Sequence, residues 1–298
     1  MANGRRVTLD DVAATAGVSR MTASYAYSKP DRVAAGTRQR VLTAARQLGF
    51  LGPDPSGRFL RQGSLRSLGL VLGESLSYVF QDPQATRFVA GLAQVCSSRG
   101  YGLTIIPTTG GPEDADRIAA AAVDAFVVWT TTADDPVLEA VRATHRRAVV
   151  HGGPRVDGFA LVGIDNRAAA KALATNVWRT STAPAVLSFP LDRDRHAGIH
   201  HDLDPREVPY PVTRDRLIGF RDAATDLDID WSAIPVAVCA LNDATHAHDA
   251  TADLLNTGHQ IDGLTAMSDQ QALGARQALL ASGRTIPCLL YTSDAADE

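Results

Sequence analysis

Thr8–Ser28, TLDDVAATAGVSRMTASYAYS, is the stretch on which the reading of this chain turns. Thr8 followed three residues later by Asp11 predicts a helix start of the capping-box kind, with side-chain oxygens offered to the free N–H groups of the first turn. Val12, Ala13 and Ala16 give that helix a small apolar face. Gly17 supplies permissive backbone for a turn, Val18 can plug the angle between two helices, and Ser19 stands where it can cap the second. The second helix then opens on Arg20, Met21 and Thr22, a mixture suited to base edges and phosphates. In a helix-turn-helix the second helix enters the major groove, led by its N-terminal residues. The pattern therefore implies contact with double-stranded DNA.

Charge points the same way. Residues 1–66 carry eleven Lys or Arg against four Asp, a net charge of +7, which leaves 18 basic and 29 acidic residues, a net of -11, for the rest of the chain. A basic head on an acidic body suits phosphate contact by one end only. The chain has 298 residues and 45% hydrophobic content, room for a headpiece and a two-part core. No apolar run is long enough to span a bilayer, and MANGRRVTLDD lacks the apolar stretch of a signal peptide, so a cytoplasmic protein without membrane partners is expected. Cys96, Cys239 and Cys288 are widely spaced and form no metal pattern, and are expected to be reduced core thiols.

Residues 1–52 read as the headpiece. Its third helix is predicted from about Thr37 to Leu48, with Val41, Ala44, Ala45 and Leu48 on one face and Gly49 ending it. Residues 53–66, rich in Pro, Gly, Ser and Arg, read as a hinge or linker. Residues 67–287 alternate between strand and helix patterns. Strands are predicted over 68–72, 103–107, 125–129, 148–150 and 160–164, and helices over 85–98, 114–122 and 136–144. A second series follows, with strands over 185–189, 236–240 and 263–267 and helices over 214–226, 246–256 and 270–282. Residues 191–211 read as a surface loop. Two successive sets of this kind imply an α/β core of two Rossmann-like lobes with parallel sheets. A ligand is expected between them, where strand ends and helix N-termini converge.

The order T-L-x-D-V-A-x-x-A-G-V-S-x-x-T-x-S resembles the N-terminus of the lactose-repressor (LacI/GalR) family of bacterial transcription regulators. The likeness continues through TRQRVLTAARQLGF at 37–50 and PDPSGRFLR at 53–61, which look like the family's third helix and hinge. The resemblance implies a core of the periplasmic-binding-protein type, a homodimer on a pseudo-palindromic operator, and operator affinity modulated by a small-molecule effector such as a sugar, usually in a repressor. It places Arg20, Met21 and Tyr25 on the base-facing side of the recognition helix. Arg20 suits a guanine and Met21 a thymine methyl. Tyr25 stands where the family often has Arg, and either faces DNA or packs inside the headpiece. Thr8, Ser19, Thr22, Ser24 and Thr37 are candidate phosphate contacts, with helix capping as the alternative for Ser19 and Thr37. Leu60 matches the hinge leucine that wedges into the minor groove, flanked by Arg58 and Arg61 on phosphates; the alternative is a plain flexible linker. Gly57, in place of the usual Ala, weakens a hinge helix by about 1 kcal/mol.

For the effector, the resemblance points first to Arg216, which precedes the L-x-G-F motif at 217–220 and whose planar fork suits vicinal hydroxyls or a carboxylate. Asp165 in VGIDN, and Ser268 and Asp269 in AMSDQQALGA, are further candidates; capping is the alternative for Asp165 and Asp269. Tyr78 and Phe80 either line the first-lobe side of the cleft or pack in the core, and Trp129 is a further aromatic at a strand end. No P-loop, G-x-G-x-x-G after a strand or G-x-S-x-G elbow occurs, so neither catalysis nor a cofactor is expected. His196, His200 and His201 lie in the expected loop and are read as solvated rather than metal-binding. A small-solute-binding protein without a regulatory role is the alternative reading; it predicts a signal peptide and no basic headpiece. Residues 288–298, CLLYTSDAADE, match what a transposase sequencing-library adapter encodes when it is read in frame. The expectation is therefore a non-native tail from about Cys288 and an incomplete second lobe.

Overall fold

The computed structural model describes residues 7–50, 64–73, 76–258, 260–284 and 290–291. Its contacts divide the chain into two units, Met1–Leu65 and Arg66–Glu298. The expected hinge residues Arg58, Leu60 and Arg61, and residues 288–289 and 292–298 of the expected tail, lie outside the described residues.

The first unit carries α1 (Leu9–Ala16), α2 (Arg20–Ser28) and α3 (Ala35–Leu48). Thr8 and Asp11 close the capping box on α1: Thr8 N donates to Asp11 Oδ2 at 2.8 Å while Asp11 N donates to Thr8 Oγ1. Gly17 stops α1 at φ 64°, where a Cβ would be strained, and Ser19 caps α2 by accepting from Thr22 N at 3.1 Å. Val12, Ala13, Ala23, Ala26, Val41, Ala44 and Ala45 form the buried centre, small side chains that let three short helices approach closely. α3 begins at Ala35, two residues before the expected Thr37. Its cap, Ala34, makes no side-chain bond, so the usual start signal is missing.

The second unit opens with β1 (Ser67–Leu72), α4 (Leu76–Gln81), α5 (Pro83–Ser98), β2 (Gly102–Pro107), α6 (Glu113–Ala120), β3 (Ala125–Trp129), α7 (Pro136–Ala143), β4 (Arg147–His151) and β5 (Ala160–Val162). These strands make one parallel sheet in the order β2-β1-β3-β4-β5. The other lobe holds α8 (Asn166–Trp178), β6 (Pro184–Ser188), β7 (Gly198–His200), α9 (Pro211–Asp226), β8 (Val236–Val238), α10 (Ala244–Asn256), β9 (Gly263–Ala266), α11 (Asp269–Ala281) and β10 (Leu290–Tyr291). Its sheet runs β10-β9-β6-β8-β7.

Two sequence expectations change here. The 191–211 stretch is not all loop: Gly198–His200 forms β7, which pairs antiparallel with β8 at the sheet edge. A three-residue edge strand is too short to show a period. α8 was not anticipated, although Ala170, Leu173, Ala174, Val177 and Trp178 recur at helical spacing and are all buried.

Two motif glycines set how the second lobe packs. A Cβ on Gly219 of α9 would lie 2.3 Å from the Arg167 carbonyl oxygen of α8, and one on Gly274 of α11 would lie 2.1 Å from the Ala244 carbonyl oxygen of α10. Each glycine thus lets two helices meet backbone to backbone. On the face that α9 turns inward, Leu217 and Phe220 are fully buried, each contributing roughly 1.5–3 kcal/mol.

Candidate DNA-reading helix and interlobe cleft

The capped start of α2 presents its first residues outward. Met21 is 63% exposed. Arg20 is exposed as well, and its Nε lies 3.3 Å from Asp10 Oδ1 on α1. One turn on, half-exposed Tyr25 takes the Lys29 ammonium over its ring, 5.7 Å from the centroid. Tyr25 does not join the headpiece core. Tyr27 does, meeting Phe50 edge-on at 6.2 Å, and burial pushes its hydroxyl above the usual tyrosine range. Of the expected phosphate contacts, Thr8 and Ser19 are exposed caps, and Thr22 Oγ1 lies 2.8 Å from Ser19 Oγ. Ser24 and Thr37 are half-buried. Thr37 sits in the first turn of α3 and does not cap it.

In the second unit the strand ends and helix starts of the two lobes meet. Arg216 donates from Nε to Asn166 Oδ1 at 2.9 Å and from Nη1 to the Met267 carbonyl, and its guanidinium lies over the Phe189 ring, 5.5 Å from the centroid. Met267 is itself held by Gln271, whose Oε1 accepts from the Met267 amide at 3.0 Å from a fully buried position. Ser268 caps α11 and donates to Asn242 Oδ1. Asn242 in turn donates 2.7 Å to Asp82 Oδ2 in the first lobe. Asp82, 3% exposed, caps α5 with its other oxygen. A second bridge runs from Arg193 Nη2 to Thr132 Oγ1 and to Asp134 Oδ1 at 3.1 Å. A hydrogen bond from Thr132, and then the one from Arg193, hold the Asp134 carboxyl below its ordinary range. On the first-lobe side Phe88 stacks on His151 at 4.8 Å and leans on Trp129 at 4.9 Å.

The structure sorts the expected effector residues. Arg216 and Ser268 are brought into this polar network. Asp165 caps α8 by accepting from Ala168 N at 2.9 Å, and its neighbour Asn166 meets Arg216 instead. Asp269 is an exposed first-turn residue of α11, whose cap is Ser268. Phe80 is 68% exposed on α4, outside the core; the Tyr78 side chain lies outside the described residues. Asp82, Asn166, Phe189, Asn242 and Gln271 were missed. The one sequence signal among them is Asp82-Pro83, a cap before a first-turn proline. Elsewhere, burial pushes the Cys239 thiol up to about 12, against an opposing influence of Gln271, which leaves it inert. His196 lies 3.0 Å from Asp192 Oδ2, which raises its pKa; among the described residues no group of three or more His, Cys, Asp or Glu is placed to hold a metal ion. No helix among them is long and apolar enough to cross a membrane.

Comparison with known proteins agrees with both halves. Residues 8–52 match the family described as bacterial regulatory proteins, lacI family. The HTH-type transcriptional regulator Rv3575c of Mycobacterium tuberculosis is 36% identical over 288 residues, covering 95% of this chain and 80% of that one. Two solved structures share the fold: a lac repressor dimer bound to operator and the anti-inducer ONPF (21% identity, TM-score 0.73, 97% of this chain and 82% of that one) and a CelR–cellobiose complex (23% identity, TM-score 0.61, 96% and 82%). With its helix-turn-helix and its two α/β lobes, this chain belongs to the lacI family of bacterial regulatory proteins.

Proposed function

We propose that the chain is a cytoplasmic transcriptional repressor that binds a pseudo-palindromic operator as a homodimer and responds to a small polyhydroxylated effector. One headpiece offers too little surface for tight specific binding, and a two-fold pair on two half-sites doubles it. Within each headpiece Arg20, Met21 and Tyr25 read bases, and Thr8, Ser19, Thr22, Ser24 and Thr37 position the helix on phosphates. Residues 53–66 serve as the hinge, with Leu60 in the minor groove and Arg58 and Arg61 on its phosphates. The observation that carries this reading is the outward presentation of Arg20 and Met21 from a capped helix start. Selection of duplexes from a random library tests it. Wild-type protein is expected to enrich an inverted repeat, and Arg20→Ala to lose preference at one base pair of each half-site. Enrichment of no motif, at low salt and with or without candidate ligands, would overturn it.

For the effector we place ligand hydroxyls against Arg216, Ser268 and Asn242, with Phe189 beneath the guanidinium. The lac repressor and CelR structures hold their small molecules in the same fold. A thermal-shift screen of sugars and nucleosides is the test. A compound that raises the melting temperature of wild-type protein and leaves Arg216→Ala unmoved supports the cleft; one that shifts both equally removes Arg216 from it.

A further inference from the structure

Asp10 takes no part in capping its own helix. Asp11 makes the capping box on α1, and Asp10, one residue earlier, points away from the buried centre with its side chain 61% exposed. It lies on a surface that approaches a polyanion, where an extra carboxylate weakens every phosphate contact. Its ion-pair partner is the Nε of Arg20, across the turn on α2, at 3.3 Å. Arg20 is 73% exposed, so the pair contributes little to stability in the free protein. The helix dipole gives Asp10 a further modest gain, which bears on folding and not on base choice.

The chemistry of the contact gives it a direction. A guanidinium carries five donors in a fixed fork. Engagement through Nε leaves the edge formed by Nη1 and Nη2 for another partner. Guanine offers O6 and N7 side by side in the major groove, a match for two parallel donors. An unheld arginine swings between that pair of acceptors and any phosphate within reach; a held one has fewer choices, and less rotamer freedom to lose on binding.

We propose that Asp10 is a positioning residue for base reading: by holding Arg20 through Nε it presents the Nη pair to a guanine and keeps it off neighbouring phosphates. Asp10 therefore sharpens preference for one base pair while lowering affinity for DNA in general. This rests on Arg20 being a base-reading residue, and the experiment separates the two. With full-length chain and an operator enriched from a random library, affinities are measured for the four base pairs at each half-site position and for a scrambled duplex, across a salt series. The proteins are wild type, Asp10→Ala, Arg20→Ala and the double variant.

Asp10→Ala is expected to cut the preference at one base pair by about five-fold. It is also expected to bind scrambled duplex more tightly and to steepen the salt dependence by about one counterion per headpiece. Arg20→Ala removes preference at that same base pair, and adding Asp10→Ala to it changes the preference no further. If Arg20→Ala alters the preference and Asp10→Ala does not, Asp10 has no positioning role and the base-reading assignment stands. If Arg20→Ala leaves every preference intact, both fail. A loss of stability without a change in preference, seen in thermal melts, also overturns the proposal.

Discussion

Gly219→Ala tests whether the L-x-G-F motif places Arg216 through helix packing. Two effects oppose each other. Alanine is the better helix former, by roughly 1 kcal/mol in a helix interior. Against this, the new Cβ would sit 2.3 Å from the Arg167 carbonyl oxygen and 3.0 Å from Ala170 Cβ and Lys171 N. Ordinary carbon contacts lie near 3.5 Å, so α8 and α9 must part by about 1 Å. The obstacle is backbone and cannot rotate aside. Overpacking of this kind costs about 1–3 kcal/mol, and here it also loosens the fully buried Leu217 and Phe220. The surface ion pairs between the two helices, Arg167–Asp222 and Lys171–Asp226, add little either way. The net expectation is a destabilisation of about 1–2 kcal/mol, which lowers Tm by roughly 2–8 °C in a unit of this size. Arg216 would move away from Asn166, so any ligand-induced thermal shift should shrink as well. Denaturant titration and thermal melts provide the measurement. Gly36→Ala is the control: Gly36 lies in α3 with nothing within 4 Å of the added carbon, and should stabilise the headpiece by about 0.5–1 kcal/mol. A Gly219→Ala protein as stable as wild type would show that helix approach does not constrain that glycine.

Three further outcomes follow from particular contacts. Asn242→Asp sets a second carboxylate against the buried Asp82, a repulsion on the order of 4 kcal/mol at 4 Å in an effective dielectric of 20; small-angle scattering at neutral pH should show the core expanding, and an unchanged radius of gyration would mean that this bridge does not hold the lobes together. Burial alone would raise the pKa of Asp262, but hydrogen bonds from Ser181, Thr182 and Ala183 outweigh it and hold the carboxyl at about 2. Its contribution to stability is therefore full above the ordinary carboxylate range and fades as pH falls through about 2, so a deficit of about 1–2 kcal/mol for Asp262→Asn at neutral pH should narrow on acidification; a deficit constant down to pH 2 contradicts the charge argument. Tyr27→Ala should lower headpiece stability by about 1–2 kcal/mol, less than a fully buried aromatic would, whereas Tyr25→Ala should leave it unchanged and alter only DNA binding; hydrogen exchange of the headpiece amides distinguishes the two.

Elements with their own period or punctuation were legible in advance. β3 was expected over Ala125–Trp129 and lies there, because four consecutive large apolar residues, Phe126 to Trp129, buried in a parallel sheet leave little choice of boundary. The turn at Gly17 and the cap at Ser19 were legible for the same reason, since each local signal coincides with the local need. Side-chain partners were not. Asp165 and Asn166 are neighbours in sequence, and nothing in VGIDN says that the first caps a helix while the second reaches a residue fifty positions on. Asp82 and Asn242 are farther apart still, and their bond exists only because the tertiary fold brings the two lobes together. The motif glycines carried a second lesson. R-L-I-G-F drew attention to its arginine, but its glycine is the residue with no sterically allowed replacement at the present helix spacing.

The polar bridges across the cleft constrain how any effector can act. Asp82–Asn242–Ser268 and Arg193–Thr132–Asp134 already join the lobes through this chain's own side chains. A hydrogen bond to a buried charged group contributes about 1.5–3 kcal/mol net, so the Asp82 bridge alone can bias the lobe arrangement by an amount comparable to a typical allosteric coupling of about 1–3 kcal/mol, while the exposed Arg193–Asp134 pair adds little. An effector that merely replaced them bond for bond would have no differential affinity for the two arrangements and would shift nothing, however tightly it bound. To act, it must either add contacts that exist in one arrangement only, or break a bridge without restoring it. Arg216 belongs to the first kind: its bonds to Asn166 and Met267 lie within one lobe, and a ligand that meets its guanidinium leaves both of these bridges in place. Asn242 belongs to the second, because a hydroxyl that takes its amide hydrogen leaves the buried carboxylate of Asp82 to find another donor. Ligands that engage Arg216 alone should therefore favour the bridged arrangement, and ligands that also displace Asn242 should oppose it. A series of polyols differing by one hydroxyl, tested for operator affinity on wild type and on Asn242→Ala, decides the point: loss of Asn242 should collapse the two classes into one, and two classes that persist unchanged would refute the assignment.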